Sequence, residues 1–122
     1  MRVINTTTLE RQLLQAEELE RLGYAILSHR WLEKGELTYS DYSFERLKKD
    51  ETSEALFKIR GACKAAQFYG IDWIWIDNVC IDKTSSAELT ESINSMFRWY
   101  RQAKVCIVYL GDTIGSLSSS SG

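Results

Sequence analysis

The sequence predicts a single α/β domain with a parallel sheet at its centre. Three short apolar runs, at residues 24–28, 73–77 and 105–110, have the length and composition of strands buried on both faces. Segments 53–69 and 86–102 instead carry apolar residues every three or four positions, as amphipathic helices do. Because these strands and helices alternate along the chain, we expect the strands to pair in parallel, with helices on both faces of the sheet.

The segment before the first apolar run is predicted to contain a strand and a helix. Residues 2–5 could form a short edge strand. Thr7 and Glu10 fit the Thr-x-x-Glu pattern of a capping box, which marks the start of a helix. We therefore expect a first helix that begins here, runs to Leu22 and ends at Gly23.

The apolar pattern also predicts the core and the end of the ordered domain. We expect the following residues to be buried: Ile26, Ile59, either Trp73 or Trp75, Ile93, Met96 and Val108. Replacing Ile93 with alanine is predicted to destabilise the domain by about 2–5 kcal/mol, through lost burial and a cavity. Residues 113–122 are rich in serine and are expected to form a disordered tail, because they can bury little apolar surface.

Composition excludes several classes of partner and location. The chain has 122 residues, 44% of them hydrophobic, which suits one domain with a real core. A formal net charge of -2, with dispersed Lys and Arg, predicts neither a nucleic-acid nor a membrane partner. No run has the length of a membrane span, and the N-terminus has no apolar signal-peptide core. The three cysteines lack Cys-x-x-Cys spacing and indicate reduced thiols, so we expect a cytoplasmic protein.

A candidate ligand site follows the first apolar run. Ser28, His29, Arg30 and Trp31 come directly after it, and ligands of parallel sheets bind outside the carboxyl ends of the strands. Arg30 could pair with a phosphate, and Trp31 could stack on a ring. Alternatively, Trp31 packs on the edge of the sheet while Arg30 pairs with a carboxylate. Residue types alone favour this structural role.

Two aspartates and a cysteine follow the second apolar run. Asp77 and Asp82 are candidate ligand-binding residues, and their oxygens could bind Mg²⁺. Few other ligands lie nearby and aspartate is common in turns, so we predict no metal. Cys80 could pair with His29 as a thiolate nucleophile. Its two aliphatic neighbours favour a buried, inert thiol instead.

Glu88 is the candidate catalytic residue, although a structural role competes for it. Ser85 and Glu88 fit a capping box at the start of the helix predicted at 86–102, and local physics favours this cap. The carboxylate could instead face a ligand at the strand ends. Since strand ends and helix N-termini converge at one edge of a parallel sheet, we expect one pocket there. Its predicted lining is Ser28, His29, Arg30, Trp31, Asp77 and Glu88.

Three blocks of the sequence resemble the fungal heterokaryon-incompatibility (HET) domain. They are residues 24–31 (YAILSHRW), residues 75–83 (WIDNVCIDK), and the segment from Glu88 through Met96 and Tyr100 to Gly111. Their order and spacing match the family, and the similarity extends to Asp112, so we assign residues 1–112 to this domain. Leu32 stands where many members have glycine, and Asp82-Lys83 replaces the commoner Asn-Gln.

The resemblance implies a fold, a function and a class of partner. HET domains act in fungal non-self recognition, a form of innate immunity in which activation triggers programmed cell death. They look distantly related to Toll/interleukin receptor (TIR) domains, which have a flavodoxin-like fold. We therefore expect a TIR-like core of three parallel strands with residues 24–28 in the centre. The implied partners are other HET or TIR-like domains or receptor modules, bound by self-association.

The same resemblance implies NAD⁺ as a possible substrate, because some TIR domains cleave it. The family usually continues into a Trp-Thr-Leu-Gln-Glu-Leu-like block, similar to the TIR segment with the catalytic glutamate. This chain has a serine-rich end instead. We therefore expect a C-terminally incomplete signalling module that is non-catalytic alone and tends to associate through exposed sheet surface. The rival function is a TIR-like NAD⁺ glycohydrolase, with Glu88 as the glutamate that matches a family motif.

Overall fold

The computed structural model describes residues 1–29, 54–82, 84–110 and 113–118, which form one mixed six-stranded sheet and four helices. The strands are β1 (Arg2–Asn5), β2 (Arg11–Leu13), β3 (Ala25–His29), β4 (Trp73–Trp75), β5 (Val105–Leu110) and β6 (Thr113–Ser118). The helices are α1 (Ala16–Leu22), α2 (Glu54–Phe68), α3 (Asp77–Cys80) and α4 (Ser86–Gln102). The strands lie in the order β2-β1-β4-β3-β5-β6 across the sheet.

The three apolar runs form the parallel centre of the sheet, as predicted. β3 lies between β4 and β5 and pairs in parallel with both. Ile26 of β3 is aligned with Trp75 on one side and with Cys106 on the other. β3 can occupy the centre because four consecutive residues of this segment, from Tyr24 to Leu27, are each at most 1% exposed. A sequence that is apolar on both faces is most stable where both faces are covered.

Helices cover both faces of this parallel centre. The chain passes from β3 to β4 in one direction along the sheet, and from β4 back past β3 to β5 in the other. Right-handed crossovers therefore place α2 and α4 on opposite faces. Trp75 packs its ring against Trp99 and Tyr100 of α4, at centroid distances of 5.5 and 6.3 Å. None of the helices in the described ranges is long and apolar enough to cross a membrane.

The strand at residues 2–5 forms as predicted, but it lies inside the sheet rather than at its edge. β1 pairs antiparallel with β2 on one side and with β4 on the other, where Ile4 is aligned with Ile74. Val3 and Ile4 are fully buried. β2 forms this edge of the sheet instead, because residues 11–13 turn back to satisfy the outer hydrogen-bonding groups of β1.

The predicted helix start at Thr7 is wrong. The side chain of Asn5 accepts hydrogen bonds from the backbone N–H groups of Thr7 and Thr8, at 2.9 and 3.0 Å, and so folds this segment into a turn. Leu9 has a positive φ of 64°, which a helix does not contain. α1 begins only at Ala16, and Gly23 then ends it near the predicted position, with a φ of 86°.

The helices predicted at 53–69 and 86–102 correspond to α2 and α4, but the predicted buried stripe of α4 is wrong. Ile93 is 62% exposed, whereas Ser92 and Trp99 are buried at 3% and 6% exposure. The helix is thus rotated so that the neighbouring line of residues faces the sheet. Met96 is half-buried, since it lies between the two lines.

The remaining core predictions are mostly confirmed. Ile26, Ile59 and Trp75 are at most 1% exposed. Val108 is half-buried rather than buried, as is Trp73. Val108 lies next to Ser28 in the sheet, where the carboxyl ends of the strands approach solvent. The core is therefore densest in the middle of the parallel strands.

Residues 113–118 form a strand where a disordered tail was expected. β6 pairs antiparallel with β5 along its whole length, from Leu110 opposite Thr113 to Val105 opposite Ser118. Backbone hydrogen bonds hold this strand, and they require no apolar side chains, so composition was a poor guide. The predicted domain boundary at residue 112 therefore falls between two strands that pair with each other. Residues 119–122 lie outside the described part of the chain.

Candidate functional site

The carboxyl ends of β3 and β4 bring together Ser28, Asp77 and Tyr100. Ser28 is the fourth residue of β3, and Asp77 begins α3, two residues after β4 ends. Side chains alternate along a strand, so Ser28 lies on the same face of the sheet as Ile26. Trp75 of β4 is aligned with Ile26 and lies on that face as well. This is the face that α4 covers, and Tyr100 reaches into it from the last part of that helix.

Tyr100 lies next to Ser28, whose side chain hydrogen-bonds to the phenol oxygen. Burial raises the pKa of the Tyr100 phenol, and the neighbouring Asp77 and Cys106 raise it further, while the Ser28 hydrogen bond acts in the opposite direction. The phenol therefore stays protonated at neutral pH and can donate a hydrogen bond. No local sequence motif marks Tyr100 as a partner of Ser28.

Three of the predicted site residues lie wholly or partly outside the described structure. His29 ends β3, where its backbone pairs with Tyr109, but its side chain is outside the described residues. Arg30 and Trp31 are outside them altogether. The predicted phosphate-pairing and ring-stacking roles of Arg30 and Trp31 therefore remain predictions.

Asp82 adopts the turn role that was weighed for it. Its carboxylate accepts hydrogen bonds from the backbone N–H of Thr84 at 3.1 Å and from the Thr84 hydroxyl at 2.5 Å. These two hydrogen bonds lower the pKa of the Asp82 carboxyl, and the bond from the Thr84 hydroxyl has the larger effect. Among the described residues, no group of three or more His, Cys, Asp or Glu side chains could hold a metal ion.

Glu88 ties the start of α4 to the N-terminal strand. The Ser85 hydroxyl accepts a hydrogen bond from the backbone N–H of Glu88 at 3.4 Å, which is one half of the predicted capping box. The other half does not form, because the backbone N–H of Ser85 donates to the Asp82 carbonyl instead of to Glu88. The Glu88 carboxylate accepts from the backbone N–H of Asp82 at 3.2 Å and forms an ion pair with Arg2. Because one carboxylate joins β1, the loop after β4 and α4, Glu88 has a clear structural function.

Glu88 lines a cavity that is separate from the cluster of Ser28, Asp77 and Tyr100. The cavity has a volume of about 630 Å³ and lies between the N-terminal segment and α4. Arg2, Trp75, Trp99 and Glu88 contribute to its walls, whereas Ser28 and Asp77 are not among the described residues that line it. Of the predicted lining residues whose side chains the structure describes, Ser28 and Asp77 thus lie apart from Glu88.

Replacing Glu88 with glutamine should lower the free energy of unfolding by about 0.5–1 kcal/mol, because the ion pair with Arg2 is partly solvent-exposed. Urea denaturation of the purified chain measures this change. Glu91→Gln is the matched control, since Glu91 lies one turn further along α4 and forms no ion pair with another described residue. Equal stability of Glu88→Gln and the wild type would contradict the structural role of the ion pair.

Cys80 is a buried thiol and a poor candidate for a nucleophile. It is 2% exposed, and its sulfur accepts a hydrogen bond from the backbone N–H of Ile76 at 3.4 Å. Burial raises its pKa to about 12, so the reactive thiolate is scarce at neutral pH. The environment of Cys80 therefore does not support its predicted role as a thiolate nucleophile paired with His29.

Comparison with known proteins identifies relatives of this chain. The family model described as heterokaryon incompatibility protein (HET) matches residues 24–120. The chain is also 47% identical over 90 residues to the vegetative incompatibility protein HET-E-1 of Podospora anserina. No solved structure matches the chain significantly.

The two matches differ in how much of each protein they cover. The alignment with HET-E-1 includes 73% of this chain but 6% of that relative, so the chain spans a small part of the relative's length. The family match begins at Tyr24 and includes β3, the second resembling block at residues 75–83, and β5. It also extends across β6, beyond the boundary at residue 112 that the sequence suggested. On this match, the chain belongs to the heterokaryon incompatibility (HET) family.

Proposed function

We propose that the chain is a signalling module of heterokaryon incompatibility that acts through contacts between like domains and triggers cell death. Family membership is the observation that carries this proposal. The relative from Podospora anserina is named a vegetative incompatibility protein, which is in keeping with such a role. The central position of the first parallel strand, with β4 and β5 on either side, supports the finer proposal of a flavodoxin-like, TIR-like fold. We place the module in the cytoplasm.

Exposed apolar residues on α4 supply a surface for contacts with like domains. Ile93 and Phe97 are 62% and 78% exposed and lie one turn apart on the same side of the helix. Large apolar side chains are costly to leave in water, and adjacent ones are typical of interaction surfaces. Association of copies through Phe97 would bury this surface, and such self-association is the proposed signalling contact.

Induced expression of the 122-residue chain in a filamentous fungus tests this proposal. We expect the fraction of viable cells to fall when the chain is expressed. Phe97→Asp should restore viability, because a charge at the contact opposes its burial. Phe68→Asp is the matched control, since Phe68 is 84% exposed but lies on α2, and this variant should kill as the wild type does.

Two results would contradict the proposal. Full viability at a confirmed level of folded wild-type chain would contradict the signalling role. Killing by Phe97→Asp at the wild-type level would exclude α4 as the contact surface.

The purified chain is expected to consume little or no NAD⁺, since Glu88 is engaged by Arg2 and Asp82. NAD⁺ loss can be followed by chromatography, with Glu88→Gln alongside. Robust turnover that Glu88→Gln abolishes would establish the glycohydrolase alternative and contradict the non-catalytic role.

A further inference from the structure

The cavity between the N-terminal segment and α4 has the size of a small-molecule site. Its volume of about 630 Å³ lies within the roughly 300–1,000 Å³ of typical ligand pockets. Leu13 and Leu14 form an accessible apolar part of its lining: Leu13 is 69% exposed and Leu14 is half-buried. Such a wall suits the apolar part of a ligand.

A buried hydroxyl without a protein partner lines the same cavity. Ser92 is 3% exposed, and its side chain forms no hydrogen bond with any other residue in the described part of the chain. Leaving a buried hydroxyl without a partner costs free energy, and the great majority of buried polar groups have one. The cavity is the space from which a ligand atom could satisfy Ser92.

The charge balance of the lining favours a cation. Two positive groups belong to lining residues: Arg2 pairs with Glu88, and the amino group of Met1, which keeps its charge, donates to the Leu14 carbonyl at 3.1 Å. Two further carboxylates, Glu18 and Glu91, line the cavity. Neither forms an ion pair with another described residue.

We propose that this cavity binds a small organic cation that carries a flat ring. The ring would lie against Leu13 and Leu14, which line the cavity and keep accessible apolar surface. The cationic group would interact with Glu18 and Glu91, and a polar atom of the ligand would hydrogen-bond to Ser92. This site is separate from the α4 contact surface, so either proposal can fail without the other.

Three probes of similar size and different charge test the site. They are the benzamidinium cation, neutral benzamide and the benzoate anion, titrated into the 122-residue chain by calorimetry at low salt. We expect benzamidinium to bind most tightly and benzoate least. Equal affinities for the three, or no binding of benzamidinium at millimolar concentration, would overturn the proposal.

Substitutions of residues that line the cavity test whether benzamidinium binds there. Glu91→Gln should weaken benzamidinium binding about tenfold, because a charge-assisted contact is lost. Ser92→Ala should weaken it about threefold, through the loss of one hydrogen bond. Glu17→Gln is the control, because Glu17 is an exposed neighbour of Glu18 on α1 that does not line the cavity. This variant should bind benzamidinium with the wild-type affinity. Circular dichroism of each variant confirms the fold. Wild-type affinity in folded Glu91→Gln and Ser92→Ala would overturn the proposal.

Discussion

Replacing Trp75 with alanine should lower the free energy of unfolding by about 3–5 kcal/mol, the range for large aromatic residues lost from a core. Trp75 is 1% exposed and makes edge-on ring contacts with Trp99 and Tyr100. It also lies in β4, which joins the N-terminal strand β1 to the central strand β3. The substitution therefore removes packing between the sheet and α4 as well as apolar burial. Urea denaturation followed by circular dichroism measures the change.

Phe97→Ala is the control for this prediction. Phe97 is also a large aromatic residue, but it is 78% exposed, so its removal should change stability by no more than about 0.5 kcal/mol. A loss for Trp75→Ala that is no larger than the loss for Phe97→Ala would mean that Trp75 does not organise the core.

A pair of isoleucines provides the second test. Ile107→Ala should cost about 2–5 kcal/mol, because a large aliphatic side chain is lost from a close-packed interior. Ile107 is fully buried in β5, aligned with Leu27 of the central strand. The same substitution at Ile93, which is 62% exposed, should be within about 0.5 kcal/mol of the wild type.

The isoleucine pair separates two orientations of α4. If α4 buried the line of residues that contains Ile93, Ile93→Ala would cost as much as Ile107→Ala. The comparison uses the same chemical change at both positions, so differences in transfer free energy cancel. A cost above 1 kcal/mol at Ile93, on the scale of about 1.4 kcal/mol per tenfold change in equilibrium constant, would contradict the observed rotation of the helix.

α4 illustrates why periodicity alone could not identify the buried side of a helix. Leu89, Ile93, Met96 and Tyr100 lie at helical spacing, and so do Leu89, Ser92, Met96 and Trp99. The first line is more apolar and was the natural prediction. The second line is buried because Trp99 packs against Trp75 and its carbonyl accepts a hydrogen bond from the Tyr24 hydroxyl at 2.6 Å. These partners are distant in sequence, and no local pattern contains them.

The N-terminal segment shows how a motif can be satisfied by a different structure. Thr7 and Glu10 fit a capping box, yet Asn5 competes for the same backbone N–H groups and forms a turn. The turn is favoured because it returns β2 to β1, which extends the sheet beside β4. The free energy of sheet pairing therefore decides between two local structures that the sequence permits.

The candidate site also combines features that the sequence predicts with contacts that only the structure shows. The sequence placed Ser28 and Asp77 at the carboxyl ends of parallel strands, and the structure finds them there. The sequence could not identify Tyr100 as a neighbour of Ser28, because the two residues are separated by more than half of the chain. The sequence also identified the N-cap at Ser85, but not the ion pair between Glu88 and Arg2, which are 86 residues apart.

By itself, the sequence determined the parallel order of the three central strands, the positions of the two long helices and the family. Each of these depends on patterns of apolar residues or motifs within short segments. The tertiary structure alone decided which side of α4 is buried, how residues 6–15 fold, and which partners hold Glu88 and Tyr100. The physical reason is that packing and ion pairs join residues that are far apart in the chain. Their free energies outweigh the small local differences between alternative helix faces and turns.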